Sequence, residues 1–307
     1  MLGFGVRLWE GQLRSRGGFV PGATLDMNFA AGQYLGAKPS DLTVVRATTG
    51  YGTDSVGNLT SFGVNVPRII SGPGLLVEQA STNSLLRSND PSNAAWTKTT
   101  TTVAGAATIS PDGTADAWQL TATAGNATVR QGVTTTAVSW VFSVWLRRVS
   151  GSGNVDITMD GTTWVTQSLT TSWQRFSVAQ TGVAGTSNPG VRIVTNGDVI
   201  EWFGSQAEAN VGTGATSYIP TVGATATRNV DDIALTGAAY SAAVSGAAGV
   251  WFVDALTPSN SGGAQTRRII DVTDGTASNR IVVGKSNGDQ SRYLVSVGAA
   301  EHEAEVV

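Results

Sequence analysis

Between Trp96 and Glu208 the apolar residues come in short, strand-sized blocks. In WVFSVWLRR (140–148), Phe142, Val144 and Leu146 fall on one side of an extended chain and Val141, Ser143 and Trp145 on the other, because successive side chains of a strand point to opposite faces. Both sides are largely apolar, so the pattern predicts a central strand covered on each face. ATISPDGTADAWQLTAT, ATVRQGVTTT, NVDITMDGTTWVTQS, TSWQRFSV and VRIVTNGDVIEWFGSQAE follow the same scheme. Each is a β-branched or aromatic run closed by Gly, Asn, Asp or Ser, at the spacing of about 8–12 residues typical of an all-β sandwich. No long window carries a helical period. Residues 84–232 therefore read as one all-β sandwich.

The flanks read differently. In 26–83, Val44 and Val45, the alternating Phe62, Val64 and Val66, and the run Leu75 to Val77 are strand signals, and Pro67 should end its strand because it has no N–H to give to a ladder. This is a strand-rich lead-in rather than an independent globule. Residues 1–25 mix apolar and basic side chains around Trp9, Leu13 and Phe19. They predict an N-terminal arm, either docked on a larger assembly through Trp9 or packed on its own domain. Val199 to Phe203 should be a buried strand with Gln206 and Glu208 at its exit, followed by a tail in which Tyr218 and Ile219 pack back on the domain. After Ile233, Trp251–Val253, Ile269–Val272, Ile281–Val283 and Tyr293–Val297 predict four strands of a further unit, 233–307.

Composition narrows the chemistry. Gly accounts for 38 of the 307 residues and charged residues for only 13%, which suits many short strands joined by tight turns. A net charge of -3 offers no basic footprint for nucleic acid. There is no cysteine, which removes disulfides and thiol chemistry. The apolar patch at the N-terminus is interrupted by Arg7 and Glu10, so neither a cleaved signal nor membrane insertion is expected.

Catalytic candidates are sparse. The single histidine, His302, lies in AAEHEAEVV and reads as part of a solvated tail, leaving no base for a serine nucleophile and no imidazole set for zinc. Glycosidases need two carboxyl groups about 5–10 Å apart. Asp156 with Asp160, Asp112 with Asp116, Glu201 with Glu208 and Asp231 with Asp232 are pairs without a distinguishing context. No cofactor is expected. Calcium is the one ion that the turns around Asp112 to Asp116 and Asp271 to Asp274 could take, and an Asx turn is the favoured reading of both.

Nine tryptophans are the strongest functional clue, since sugars stack C–H faces on exposed rings while polar neighbours take their hydroxyls. Trp145, Trp173 and Trp202 sit in strand motifs and read as core; Trp118, alternating with Leu120, is left open. Trp164, in DGTTWVTQS beside a Gly turn and among hydroxyls, is the first glycan-binding candidate, and Trp140 at its strand start is the second. Burial is the competing role for both.

GLLVEQASTN (74–83), SPDGTADAWQL (110–120), FSVWLRR (142–148), TSWQRFSV (171–178), WFGSQAE (202–208) and TSYIPTVGATATR (216–228) together resemble phage and prophage tail-fibre or head-fibre (spike) proteins. Those proteins carry a jelly-roll domain similar to carbohydrate-binding modules. The strand order after 233 resembles the opening of a laminin-G or concanavalin-like lectin sandwich, to be completed by further chain or by a neighbouring subunit. The resemblance implies a non-enzymatic virion protein that binds host cell-surface polysaccharide, contacts other capsid or tail proteins and forms a homo-oligomer, with a trimer the usual arrangement. A decoration or collar protein without sugar binding is the alternative, and a capsule depolymerase the third reading.

Overall fold

The structure, a computed structural model, describes residues 25–105, 108–181, 184–212 and 214–243, and the strands 267–273, 280–285, 291–297 and 300–306. Trp9 and Trp251–Val253 lie outside the described residues.

Ten strands build the sandwich: β1 (Thr97–Thr99), β2 (Thr101–Gly105), β3 (Trp118–Ala122), β4 (Ala127–Arg130), β5 (Ser139–Ser150), β6 (Val155–Thr158), β7 (Val165–Gln167), β8 (Gln174–Thr181), β9 (Gly190–Ile193) and β10 (Val199–Ala209). They form two five-stranded antiparallel sheets, β2-β3-β10-β5-β8 and β7-β6-β9-β4-β1. The chain changes sheet at most connections, giving a jelly-roll β-sandwich. The sheets meet over Leu120, Phe142, Val144, Leu146, Ile200 and Trp202 from one side and Ala127, Val129, Val155, Ile157, Val191 and Ile193 from the other. Trp96 closes this core edge-on against Trp202, with ring centroids 5.1 Å apart.

The central strand is covered on both faces, as its sequence predicts: residues 140–146 are all buried. On the face away from the main core, Trp145, Phe203, Tyr218 and Leu59 form a second cluster of tilted and edge-to-face rings. Leu59 comes from the hairpin of Gly50–Thr53 and Leu59–Phe62, and Tyr218 from the tail after β10. The tail packs back through Tyr218 and Ile219 as expected.

The lead-in is fastened to the end of the module rather than strung out before it. Leu42–Val45 pairs with Asp232–Leu235, and Ser81–Asn83 with Ala226–Arg228. Under these ribbons lie Arg46, Arg68, Arg228, Glu78 and Asp231. Arg68 donates to Glu78, to Asp231 and to Ser217 Oγ, the first and last at 2.7 and 2.8 Å. Arg46 donates to Asp231 and to the Gly63 carbonyl, at 2.7 and 2.6 Å.

Two local readings change. Val64 and Val66 are in a turn, not a strand: the preceding strand ends at Phe62, Asn65 takes φ +58°, and the Val66 N–H bonds the Gly63 carbonyl at 3.3 Å. The next strand, Arg68–Ile70, starts directly after Pro67. His302 belongs to a strand rather than a tail. Arg267–Thr273, Arg280–Lys285, Ser291–Val297 and Ala300–Val306 form a four-stranded antiparallel meander, and His302 pairs with Val295.

Candidate functional site

The outer face of the second sheet carries the first tryptophan candidate. Antiparallel register aligns Thr128, Arg192, Asp156 and Thr166 in one row across β4, β9, β6 and β7. Directly opposed residues share a face, so the row projects away from the core. Asp156 sits at the middle of the row. It accepts from Arg192 Nε at 2.8 Å and from Thr166 Oγ1 at 2.7 Å, and Arg192 Nη2 stands in ion-pair contact at 2.7 Å. The same guanidinium lies over the ring of Trp164, 4.6 Å from its centroid. The carboxylate is nearly closed off, with 3% of its side chain accessible, whereas Arg192 keeps 28%. Thr128 adds a buried hydroxyl that has no hydrogen-bond partner among the described residues.

Trp164 is presented by a stiff turn just before β7. Asp160 Oδ1 accepts from the Thr162 and Thr163 N–H groups, both at 2.7 Å, and from Thr158 Oγ1 at 3.0 Å. Partial burial pushes the Asp160 carboxyl up, but these donors together outweigh it and hold the group down at about 2. Gly161 takes φ +83°, and a Cβ there would stand 2.8 Å from Asn188 Cβ. The DGTT segment is thus an Asx-type turn that fixes where the indole leaves the sheet edge. Trp164 is partly buried.

Trp140 has a different environment. It is 5% exposed, lies in the main core cluster and donates its Nε1–H to the Thr136 carbonyl at 3.3 Å. Its place at the strand start puts it on the inward side with Phe142 and Val144, so its ring faces are closed to a ligand. The cores also take Trp145 and Trp202, as their motifs predict. Trp173 is core in part: it lies just before β8 on the outer face of the first sheet, partly buried and packed against the second cluster. The signal was present in TSWQRFSV, where Trp173, Arg175 and Ser177 alternate against Phe176 and Val178.

Most of the paired acids are tied to fixed donors. Asp156 is bound to Arg192, Glu201 to Arg147, Glu208 to Ser81 and Thr216, and Asp231 to Arg46 and Arg68. Asp112 accepts from Ser110 Oγ at 2.6 Å and from the Thr114 N–H at 3.0 Å, an Asx turn of the favoured kind. Asp274 lies outside the described residues. Among the described residues no group of three or more His, Asp or Glu side chains is placed to hold a metal, and no helix is long and apolar enough to cross a membrane.

Neither a protein-family model nor a curated protein matches the chain. Similar solved structures include the CBM22-1 xylan-binding domain of Paenibacillus barcinonensis Xyn10C, at 13% identity and a TM-score of 0.34, over 45% of this chain and 99% of that one. The CBM22-1-GH10 modules of Clostridium thermocellum xylanase 10B, complexed with xylohexaose, match at 11% identity and a TM-score of 0.31, over 47% of this chain and 30% of that one. The enzymatically active domain of bacteriophage CBA120 tailspike protein 4 matches at 10% identity and a TM-score of 0.32, over 41% of this chain and 21% of that one. The chain thus spans about a fifth of the tailspike domain that it matches.

Proposed function

We propose that the protein is a non-enzymatic fibre or spike component of a phage or phage-like gene-transfer particle, and that its jelly roll binds a host-surface polysaccharide. The observation that carries the sugar-binding part is the outer face of the second sheet. An indole held at the sheet edge stands beside a guanidinium, a carboxylate and a threonine hydroxyl, Trp164, Arg192, Asp156 and Thr166. A pyranose laid on the open part of the ring would stack its C–H face there and meet donors and acceptors at its rim. Arg192, with 28% of its side chain accessible, is the donor that a sugar hydroxyl reaches. The virion setting rests on the ordered motifs from GLLVEQASTN to TSYIPTVGATATR. Each site would bind weakly, and copies in a homo-oligomer, a trimer in this reading, would raise the avidity.

The test is a glycan array of host capsule and lipopolysaccharide fragments probed with the full chain and with Trp164→Ala. Binding that falls about tenfold or more in the variant at unchanged melting temperature supports the reading. Absence of binding to every host glycan overturns it.

One feature favours the second reading, a decoration or collar protein. In the ion-pair clamp of Arg46, Arg68, Arg228, Glu78 and Asp231, Arg46 and Asp231 are buried and Glu78 is partly buried, while their chain neighbours Val45, Val77 and Val230 are exposed. Exposed apolar groups on adjoining segments are what a protein partner covers. Particles assembled without the chain would then lose a neighbouring virion protein while still adsorbing to host polysaccharide.

A further inference from the structure

The two outer faces of the sandwich carry the same three-residue device. On the second sheet it is Trp164, Arg192 and Asp156. On the first it is Trp173, Arg147 and Glu201. Arg147 opposes Glu201 in the β5–β10 register, and its Nε donates to Glu201 Oε2. Its guanidinium lies over the Trp173 ring at 4.8 Å, against 4.6 Å for Arg192 over Trp164. In each set the arginine is open and the acid nearly closed: Arg147 keeps 25% of its side chain accessible and Glu201 3%. Each tryptophan is the residue immediately before an edge strand, β7 or β8.

The first-sheet device is as firmly held as the other. The Trp173 Nε1–H donates to the Ile109 carbonyl at 2.9 Å, which fixes the indole plane, and Thr108 Oγ1 donates to Glu201 Oε1 at 3.0 Å. Arg147 spends only Nε on its acid. Among the described residues its two Nη groups make no hydrogen bond, whereas Arg192 commits both Nε and Nη2 to Asp156. A planar pair of unengaged N–H groups beside an indole suits two adjacent hydroxyl oxygens of a sugar ring stacked on that indole. Toward the tail this face is filled by Tyr218, Phe203 and Leu59, and Trp173 packs its inner part against that cluster. What stays open is the end bordered by Trp173, Arg147, Ile109 and Gln119.

We infer that this end of the first sheet is a second saccharide subsite, taking a neutral sugar with vicinal hydroxyls through Trp173 and Arg147, so that one sandwich engages saccharide on both outer faces. The inference rests on the reading of the jelly roll as a glycan binder. It changes the kind of binding expected, because sites on opposite faces hold two glycan chains, or two segments of one, and cross-link a polysaccharide layer without any oligomer.

The experiment uses the full chain, labelled with nitrogen-15, with the indole N–H signals assigned from Trp164→Phe and Trp173→Phe. It is titrated with glucose, galactose, mannose and N-acetylglucosamine, and with xylohexaose, cellohexaose and maltohexaose as separate probes. Saturable shifts of both indole signals with at least one probe, the Trp173 shift surviving in Trp164→Ala and weakening about tenfold in Arg147→Gln, are the expected result. Movement of the Trp164 signal alone overturns the second subsite and leaves the proposed function standing. Movement of the Trp173 signal alone supports this subsite and removes Trp164 from the binding reading. No saturable shift of either signal overturns both.

Discussion

Arg46 and Asp231, 185 residues apart in the chain, form an ion pair at 2.7 Å with both side chains closed to solvent. Asp231 also holds Arg68 and accepts from the Glu78 N–H at 2.9 Å. One carboxylate thus contacts two buried guanidinium groups, Arg68 being shared with Glu78, and ties the strands before the sandwich to the strand after it. Removing one member of a buried pair leaves the rest uncompensated and costs about 3–5 kcal/mol. Asp231→Asn is expected to destabilise by that amount in urea unfolding of the full chain. A change below about 1 kcal/mol would show that the clamp does not hold the module closed.

The same network sets an acid limit. Burial pushes the Asp231 carboxyl up, but hydrogen bonds and charge from Arg68 and Arg46 outweigh it and hold the group below its ordinary 3.8. Burial also pushes Glu78 up, and the charges of Arg228 and Arg68 with the Ser217 bonds bring it below 4.5. A carboxyl depressed in the folded state contributes stability that is fully present above its unfolded value and is lost as pH falls through the folded one. The melting temperature should therefore be insensitive to these groups above about pH 5 and fall steeply below about pH 4. In Asp231→Asn the acid limb should be shallower. Parallel acid limbs in the two proteins would refute the assignment.

Gly190 sits in β9, the middle strand of the second sheet, opposed by Arg130 and Thr158. A Cβ built there stands 2.2 Å from the Val129 carbonyl oxygen and 2.8 Å from Arg130 Cα, backbone atoms that cannot swing aside. Gly190→Ala must push β4 away and is expected to cost about 3 kcal/mol, the upper end for overpacking. Gly223 has open space around it, so Gly223→Ala should stay within about 0.5 kcal/mol of the parent. Equal melting temperatures for the two variants would contradict the packing described for β9.

The sandwich was legible because its information is local. Residues 140–146 carry apolar side chains on both sides, and turn residues punctuate every block, so strand identity and the covered central strand follow from period alone. The clamp was not legible for the opposite reason. Nothing near Arg46, Arg68 or Arg228 marks these residues as buried, since each owes its burial to acids or strands far along the chain. Gln206 and Glu208 show the same limit. They read as the polar exit of a strand, yet β10 runs through to Ala209. Gln206 Oε1 accepts from the Ile219 N–H at 2.7 Å, and Glu208 accepts from Ser81 Oγ at 2.6 Å and the Thr216 N–H at 3.0 Å. Buried polar groups are permitted where such partners exist, and the partners come from the lead-in and the tail. Of the two tryptophans singled out for sugar, both lie beside turns, and only the strand phase separates them.

That separation gives the last prediction. Trp140 fills the core between the sheets and Trp164 stands on an outer face beside Arg192. Truncating a buried tryptophan removes its transfer free energy and leaves a cavity, about 3–5 kcal/mol in all. Trp140→Ala should therefore lower the unfolding midpoint sharply, and any loss of glycan binding should track the unfolded fraction and recover on cooling. Trp164→Ala gives up only a partly buried ring at the sheet edge and a guanidinium contact of about 0.5–1 kcal/mol, so its midpoint should stay close to the parent. Its affinity for glycan should nevertheless fall at every temperature at which the chain is folded. Measuring unfolding and binding on the same samples separates the cases. A Trp164→Ala protein as unstable as Trp140→Ala would make Trp164 a packing residue and leave the second-sheet face without its stacking surface.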